Sequence, residues 1–466
     1  MTIDRIAFFT YSQDVSALEQ YRVVSPLKHA GIDIVPGIRE GKLLLDSINE
    51  APLILFQRDF SRSFSDYLQV LEHAHFMGKP VVLDLDDHLL ALPQYHPDRI
   101  SGYYADGLAA FLHALINVDA ITVTTHILRE ALLPYNPHIY VLPNYLDNEL
   151  WHFRESKLPT NQYPVRILFV GTPTHKPDLE LIAEPLAQIS QKYRAEVSFC
   201  FYGAEPPEIL SNHPNVTYIP LQTYVFQKFI SYSLQLEADI AIAPLENNLF
   251  NCCKSSIKYF EYTALGLPGV FSALPPYAEV VHDGENGFLA ATPEEWEHKL
   301  ELLIESPELR LQFAQEAQQR VQQNWLIQDH ANEWQKVYDQ IITLGVQQAQ
   351  VDPDINSAIT ALASQLEEYH NLVNLGTLNL KDEQIQKLSV ENEALKQKLT
   401  ESLKNINLKD EQIQKLSADL NLRDEQIQKL SVENEGLQLE IVDYTSSTSW
   451  KITRPLRRLS RLVRRK

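Results

Sequence analysis

Short apolar runs and helical stretches alternate along the first 344 residues, and the pattern is laid down twice. RIAFFTYS, PLILFQRD, KPVVLDLDD, AITVTT and IYVLPN make up the first series. VRILFVGT, AEVSFCFYG, VTYIPL, DIAIAP, GVFSA and GFLAA make up the second. Strands separated by helices pair in parallel and carry the helices on both faces, so the alternation predicts an α/β fold of two similar domains. The first domain is placed at residues 1–158 and the second at 159–344, closing with a helix from about Trp325 to Leu344. Two such domains in series leave a cleft between the carboxyl ends of their sheets, where open α/β sheets bind ligands. Residues 345–374 read as a linker.

The segment DIAIAPLENNLFNCCKSSIKYFEYTALGLPGVFSALPPYAEVVHDGENGFLA, Asp239 to Ala290, says most about function. DIAIAP is a short buried strand whose apolar residues run to a proline stop. A polar loop follows, then a helix from about Ser255 that ends at Gly266 with Pro268 just beyond. This order aims free backbone N–H groups and a positive helix end at one point in space. Lys254, Lys258 and Glu261 stand at i, i+4 and i+7 and share one helical face. Two cations and an anion grouped at a helix start suit a ligand with both a diphosphate and sugar hydroxyls. A solvated charged face is the plainer reading of the same spacing.

Composition narrows the classes. A chain of 466 residues with 44% apolar content has room for about three domains with full cores. The formal net charge of −21 argues against nucleic acid as the main partner. Cys200, Cys252 and Cys253 have no metal-ligand spacing with a second pair and fit a reducing cytosol. The opening MTIDRIAFFTYS lacks a basic region followed by an apolar core, and no apolar run reaches the roughly 18 residues of a membrane span. The expected body is soluble and cytoplasmic.

From 375 to 444 the chain repeats itself. NLKDEQIQKLS begins at Asn379 and Asn407, and NLRDEQIQKLS at Asn421, so all copies keep heptad register. Ile385, Ile406, Ile413 and Ile427 fall at position a, and Leu388, Leu395, Leu416 and Leu430 at position d. β-branched residues at a with Leu at d favour a parallel two-stranded coiled coil, with Asn392 and Asn434 fixing its register. A parallel homodimer through 375–444 is expected. The tail, 445–466, carries Lys451, Arg454, Arg457, Arg458, Arg461, Arg464, Arg465 and Lys466 around an apolar stripe that Trp450 begins. A basic amphipathic helix over 450–466 suits an anionic membrane surface, or docking on an acidic protein. The membrane reading places the protein peripherally, at the inner face of the plasma membrane.

With these residues in view, residues 1–344 resemble the GT-B glycosyltransferases, specifically the retaining family 4 group that uses nucleotide sugars. KSSIKYFEYTALGLP followed by VVHDGENGFLA is similar to that family's donor-site segment. FVGTPTHKPDLELI is similar to the first strand, loop and helix of its second domain, and VLPNYLD to the stretch before the interdomain linker. SALEQYRVVSPL, FQRD and DLDD resemble a bacterial subgroup acting on surface polysaccharides. The resemblance implies two Rossmann-like domains facing a cleft. It implies a nucleotide-sugar donor, a glycan or lipid-linked acceptor, and no cofactor or metal. Lys258 is expected to neutralise the donor diphosphate, with help from N–H groups near Ser255 and Ser256. Glu261 is expected to accept hydrogen bonds from the ribose hydroxyls. Gly171 and Thr172 are expected in the turn that faces the phosphates, where glycine permits close backbone approach. In such enzymes the leaving diphosphate takes the acceptor's proton, so retention needs no protein nucleophile and catalysis is positioning and charge stabilisation.

Two departures from the family stand out. It often carries two glutamates with seven residues between them; here Glu261 is the second and Cys253 holds the first position. An arginine usually follows the glycine turn, and Thr172 stands there instead. His175 and Lys176, or Lys254, are left to take over those contacts. His175 and Asp87 join Lys258 as candidate catalytic residues. On the acceptor side, Asp86 or Asp87 either orients the acceptor hydroxyl or caps a strand end. Arg22 and Arg58 either face the cleft or serve as structural ion-pair partners. Asp84, Asp86 and Asp87 are similar in type to the acids that hold a metal in GT-A transferases. They follow a strand in the first of two similar domains, so no metal is expected. A non-catalytic scaffold that keeps the fold as a binding module, dimerised by its coil, is the alternative to an enzyme.

Overall fold

A computed structural model describes residues 2–12, 14–58, 60–104, 107–156, 158, 164–347 and 353–374. The expected coiled coil over 375–444 and the basic tail over 445–466 lie outside the described residues.

The apolar runs form strands. In the first domain these are β1 (Arg5–Phe9), β2 (Asp33–Pro36), the hairpin β3 (Ile38–Arg39) and β4 (Lys42–Leu43), β5 (Ile54–Gln57), β6 (Val81–Leu85), β7 (Ala120–Val123) and β8 (Ile139–Val141). The second domain has β9 (Val165–Val170), β10 (Val197–Gly203), β11 (Val216–Pro220), β12 (Ile240–Ala243), β13 (Gly269–Ser272) and β14 (Phe288–Ala290). The sheet orders are β2-β1-β5-β6-β7-β8 and β11-β10-β9-β12-β13-β14. Every pairing within these two sheets is parallel. The order reverses between β1 and β5, and again between β9 and β12. A parallel sheet opens a crevice at such a point, because successive crossovers leave toward opposite faces.

Side chains hold the second crevice in shape. β9 and β12 pair only through Ile240 with Ile167 and Ala241 with Leu168. Beyond that, the Tyr262 hydroxyl fills the gap: it accepts the Val170 N–H at 2.9 Å and donates to the Ile242 carbonyl at 3.1 Å. Tyr262 is buried, so removing its hydroxyl would leave backbone groups of both strands without a partner.

Two segments differ from the expected domain plan. The helix Asn332–Leu344 leaves the second domain and returns to the first. There Trp334, Tyr338 and Ile341 share a core with Ile3, Ile6, Leu27, Leu55 and Val82. Residues 345–374 are more than a linker, since Pro353–Asn374 is a helix on the opposite face of the first sheet. Ile359 and Ala363 enter the core on this other face, with Phe9, Phe56 and Leu83; Asn356 and Asn117 exchange hydrogen bonds at 2.9 Å, and Glu367 accepts the Ser65 N–H at 2.9 Å. Among the described residues no helix is long and apolar enough to cross a membrane.

Candidate active site

The carboxyl ends of β9 and β12 meet the helix Ile257–Ala264. This helix starts two residues later than expected. A single turn, Leu249–Cys252, precedes it, and residues 253–256 connect the two. Lys254 therefore lies in the connection and not on the helical face shared by Lys258 and Glu261. The helix does end at Gly266, whose φ of 72° is the left-handed conformation that glycine adopts without strain.

Lys258 Nζ reaches the turn after β9, donating to the Val170 carbonyl at 2.7 Å and lying 5.2 Å from the centre of the Phe169 ring. A Cβ at Gly171 would come within 2.7 Å of the Phe169 ring and 2.9 Å of Lys258 Nζ, so a side chain there would force these neighbours to shift. Gly203, at the end of β10, has φ 94°, and a Cβ on it would sit 2.0 Å from the Gly171 carbonyl oxygen. Two glycines thus let two backbone segments and a lysine converge. Burial lowers the Lys258 pKa, and the nearby Lys254 adds to the effect against the pull of Glu261. Lys254 itself stands 4.8 Å over the Phe250 ring. Among the described residues neither lysine is ion-paired at salt-bridge distance, so both cations rest on neutral groups.

Burial raises the Glu261 pKa, while Lys258 and then a hydrogen bond from Tyr21 act in the opposite direction. Tyr21 belongs to the first domain, and its hydroxyl donates to Glu261 Oε1 at 2.9 Å. Two further hydrogen bonds cross the cleft here: Asn144 Nδ2 donates to Ser255 Oγ, and Thr125 Oγ1 to the Cys253 carbonyl, each at 2.9 Å. Ser256 is buried and donates to the Pro276 carbonyl at 2.7 Å, which fixes the start of the helix. Thr172 is exposed in the glycine turn, and Lys176 pairs with Glu205 at the surface, 2.7 Å away.

His175 is buried in the same turn, with Nδ1 2.8 Å from Asp178 Oδ2. Burial, then Lys258 and Lys254, push its pKa down to about 3, so the imidazole is neutral at working pH. Asp178 is itself fixed, accepting the Glu246 N–H at 2.9 Å and Asn251 Nδ2 at 3.0 Å on Oδ1. A neutral imidazole whose Nδ1–H serves Asp178 presents Nε2 as an acceptor, which suits a hydroxyl better than a phosphate oxygen.

The first domain meets this site from the ends of β5 and β6. Arg58 Nη1 donates to Asp86 Oδ1 at 2.7 Å and to Asp87 Oδ2 at 3.3 Å, and Nη2 donates to the Tyr104 hydroxyl at 3.2 Å. Burial raises the Asp86 pKa against the pull of Arg58. Both carboxylates keep about a quarter of their side-chain surface accessible (25% each). The loop after β6 reaches over to the second domain, packing the His96 ring 5.2 Å from that of Phe250 and setting Pro97–Ile100 beside Pro173–His175.

Arg22 departs from the expected acceptor side. It is wholly buried, with Nε and Nη2 donating to Asp84 at 3.0 and 2.8 Å and Nη1 to the Leu142 carbonyl and Asn144 Oδ1. Thr122 Oγ1 completes Asp84 at 2.7 Å. This group ties β6, β7 and the strand-end loop together and offers no surface to a substrate. Cys253, at the position of the missing glutamate, is fully buried in the first domain's core cluster beside Phe250. Burial pushes its thiol up to about 12, so it is neutral.

Tyr21, Asn144 and Asp178 belong to the site although the sequence reading missed them. Asp178 had a faint signal, three residues after His175 in the first turn of a helix that follows a glycine turn. Tyr21 and Asn144 lie 240 and 111 residues from their partners and carry no local signal.

Residues 164–306, most of the second domain, match the family described as glycosyl transferases group 1. Among curated proteins no relative matches by sequence. Among solved structures, sucrose-phosphate synthase from Thermosynechococcus elongatus superposes with a TM-score of 0.52 at 15% identity, over 73% of this chain and 99% of that one. HepE of Anabaena, in complex with UDP and glucose, gives a TM-score of 0.52 at 13% identity, over 72% of this chain and 99% of its own. At these identities the likeness is one of fold. The chain therefore has the two-domain GT-B fold, and residues 164–306 within it are similar to the glycosyl transferases group 1 family.

Proposed function

We propose that the protein is a retaining glycosyltransferase that moves a sugar from a nucleotide-sugar donor to a glycan or lipid-linked acceptor in bacterial cell-surface polysaccharide synthesis. The observation that carries this reading is the pair Lys258 and Glu261, which stand beside the Gly171 turn where β9 and β12 diverge. The donor diphosphate lies against Lys258 Nζ and the N–H groups at the helix start, and Glu261 accepts from the ribose. His175, neutral and fixed by Asp178, accepts from a hydroxyl of the transferred sugar. The acceptor approaches from Asp86 and Asp87, whose free lone pairs suit hydroxyl groups. The departing diphosphate takes the acceptor's proton on the face it leaves, so the protein supplies position and charge rather than a nucleophile. Lys258 and the helix end provide the positive charge that a metal would otherwise bring. HepE, which shares the fold, binds UDP and glucose, and this supports a uridine nucleotide as the first donor to test.

The test is a panel of nucleotide sugars incubated with purified protein and acceptor extract, measuring nucleoside diphosphate release. Release from one donor, lost in Lys258→Ala and Glu261→Ala, is expected; no release from any donor overturns the reading. The second reading, a non-catalytic scaffold, draws on Cys253 standing where a sugar-contacting acid is usual. A scaffold keeps its role in cells when Lys258 is replaced, whereas an enzyme does not. The coil over 375–444 is proposed to pair two chains in parallel, and the basic stretch 450–466 to hold them on an anionic membrane surface.

A further inference from the structure

Tyr21 leaves its own domain. It lies in a π-helical turn, Gln20–Val24, a rare winding that recurs at functional positions. Its ring packs in the second domain's core cluster, edge-on to Phe226 with centroids 4.9 Å apart. It is 6% exposed, and its hydroxyl is engaged on both sides: it accepts Trp151 Nε1 at 2.9 Å and donates to Glu261 Oε1 at 2.9 Å. Trp151, wholly buried, thereby fixes the direction in which the hydroxyl points. One oxygen of Glu261 is held by the opposite domain, and among the described residues the other has no hydrogen-bond partner.

We infer that Tyr21 is a positioning residue for donor recognition: reaching across from the first domain, it orients the Glu261 carboxylate so that the nucleoside is held only when the two domains are closed. The inference rests on the reading of Glu261 as the ribose-binding group. The diphosphate contacts at Lys258 and Gly171 come from the second domain alone, so they do not depend on Tyr21. A phosphate group and a ribose on one ligand are therefore read by machinery of different origin. The groups acting on Glu261 are Lys258 on its own helix and Tyr21 opposite; Asp147 acts on Tyr21, and Glu261 in turn acts on Tyr262 and Tyr277. Burial raises the Glu261 pKa and the Tyr21 hydrogen bond opposes that rise, so removing the hydroxyl moves the acid limb of donor binding to higher pH.

The test is calorimetric titration of the whole protein with inorganic pyrophosphate and with uridine, guanosine and adenosine diphosphates, in wild type and Tyr21→Phe. Wild type is expected to bind pyrophosphate and at least one nucleoside diphosphate. Tyr21→Phe is expected to leave pyrophosphate affinity unchanged and to weaken the nucleoside diphosphate by roughly tenfold or more, the scale of one hydrogen bond to a charged group. Part of that loss should be recovered as pH rises. Trp151→Phe, which keeps the Tyr21 hydroxyl but frees its direction, should show a smaller loss of the same kind. Equal weakening of both ligands would reduce Tyr21 to a structural contact, and no weakening of either would remove it from recognition. Failure of wild type to bind any nucleoside diphosphate would instead overturn the reading of the donor site, and this inference with it.

Discussion

The two sheets end in different electrostatic arrangements. In the first domain the charges at the strand ends are paired with each other, Arg22 with Asp84 and Arg58 with Asp86 and Asp87. In the second domain they rest on neutral partners: Lys258 on a carbonyl and a ring, Lys254 on a ring, Glu261 on a tyrosine hydroxyl. A buried ion pair has met its own needs and acts as structure. A charge whose direct contacts are neutral groups keeps its field for something else, and perturbed titration of this kind clusters at functional sites. The comparison assigns stability to the buried Arg22–Asp84 pair; on the proposed reading ligand binding falls to the second set, with the partly exposed Asp86 and Asp87 kept for the acceptor.

Breaking each set should therefore give opposite results. The largest effect is expected from Arg22→Leu, which leaves Asp84 buried without its partner. Destabilisation of about 3–5 kcal/mol is expected, read by denaturant unfolding, with activity per folded molecule retained. Lys258→Ala should do the reverse, leaving unfolding nearly unchanged while donor turnover falls by roughly 10²–10³-fold, as when one preorganised charge-stabilising group is removed. If Lys258→Ala unfolded the protein and Arg22→Leu did not, the contrast would be inverted.

The pH dependence sharpens the same contrast. Burial lowers the Lys258 pKa, so its charge is lost at a lower pH than that of an ordinary lysine. Burial raises the Glu261 pKa, so its carboxylate forms only at a higher pH than usual. Donor affinity should peak between these limits and fall on both sides. Lys258→Arg should abolish the alkaline limb, because a guanidinium stays charged throughout. Persistence of that limb in the arginine variant would assign it to another group. The smallest effect is expected at Lys176, whose pair with Glu205 is exposed. Lys176→Ala should change stability by less than about 1 kcal/mol and leave donor affinity unaltered.

Much of this was legible in the sequence, for reasons tied to chain-local physics. β12 appeared as DIAIAP because buried parallel strands are continuous apolar runs, and Gly266 marked a helix end because only its backbone turns left-handed there at little cost. Edge strand β2 (DIVP) is only partly buried and escaped notice, since its apolar run is two residues long. Pro353–Asn374 passed for a linker because its apolar stripe is read only against the helices that cover it. Lys254 kept helical spacing to Lys258, yet the chain breaks its helix at residues 253–256 so that Phe250 and Cys253 can enter the first domain. Arg22 and Arg58 look alike as sequence, and their different fates depend on which acids fold against them. Residues that answer a partner in the other domain, such as Tyr21, have no periodicity to betray them.

The central claim is that the crevice between β9 and β12 performs sugar transfer, and NMR of the anomeric protons during reaction tests it most directly. With the donor that the panel identifies, wild type should produce nucleoside diphosphate and a product of the donor's own anomeric configuration, and Lys258→Ala should produce neither at a comparable rate. An inverted product would contradict retention, and undiminished transfer by Lys258→Ala would contradict the site.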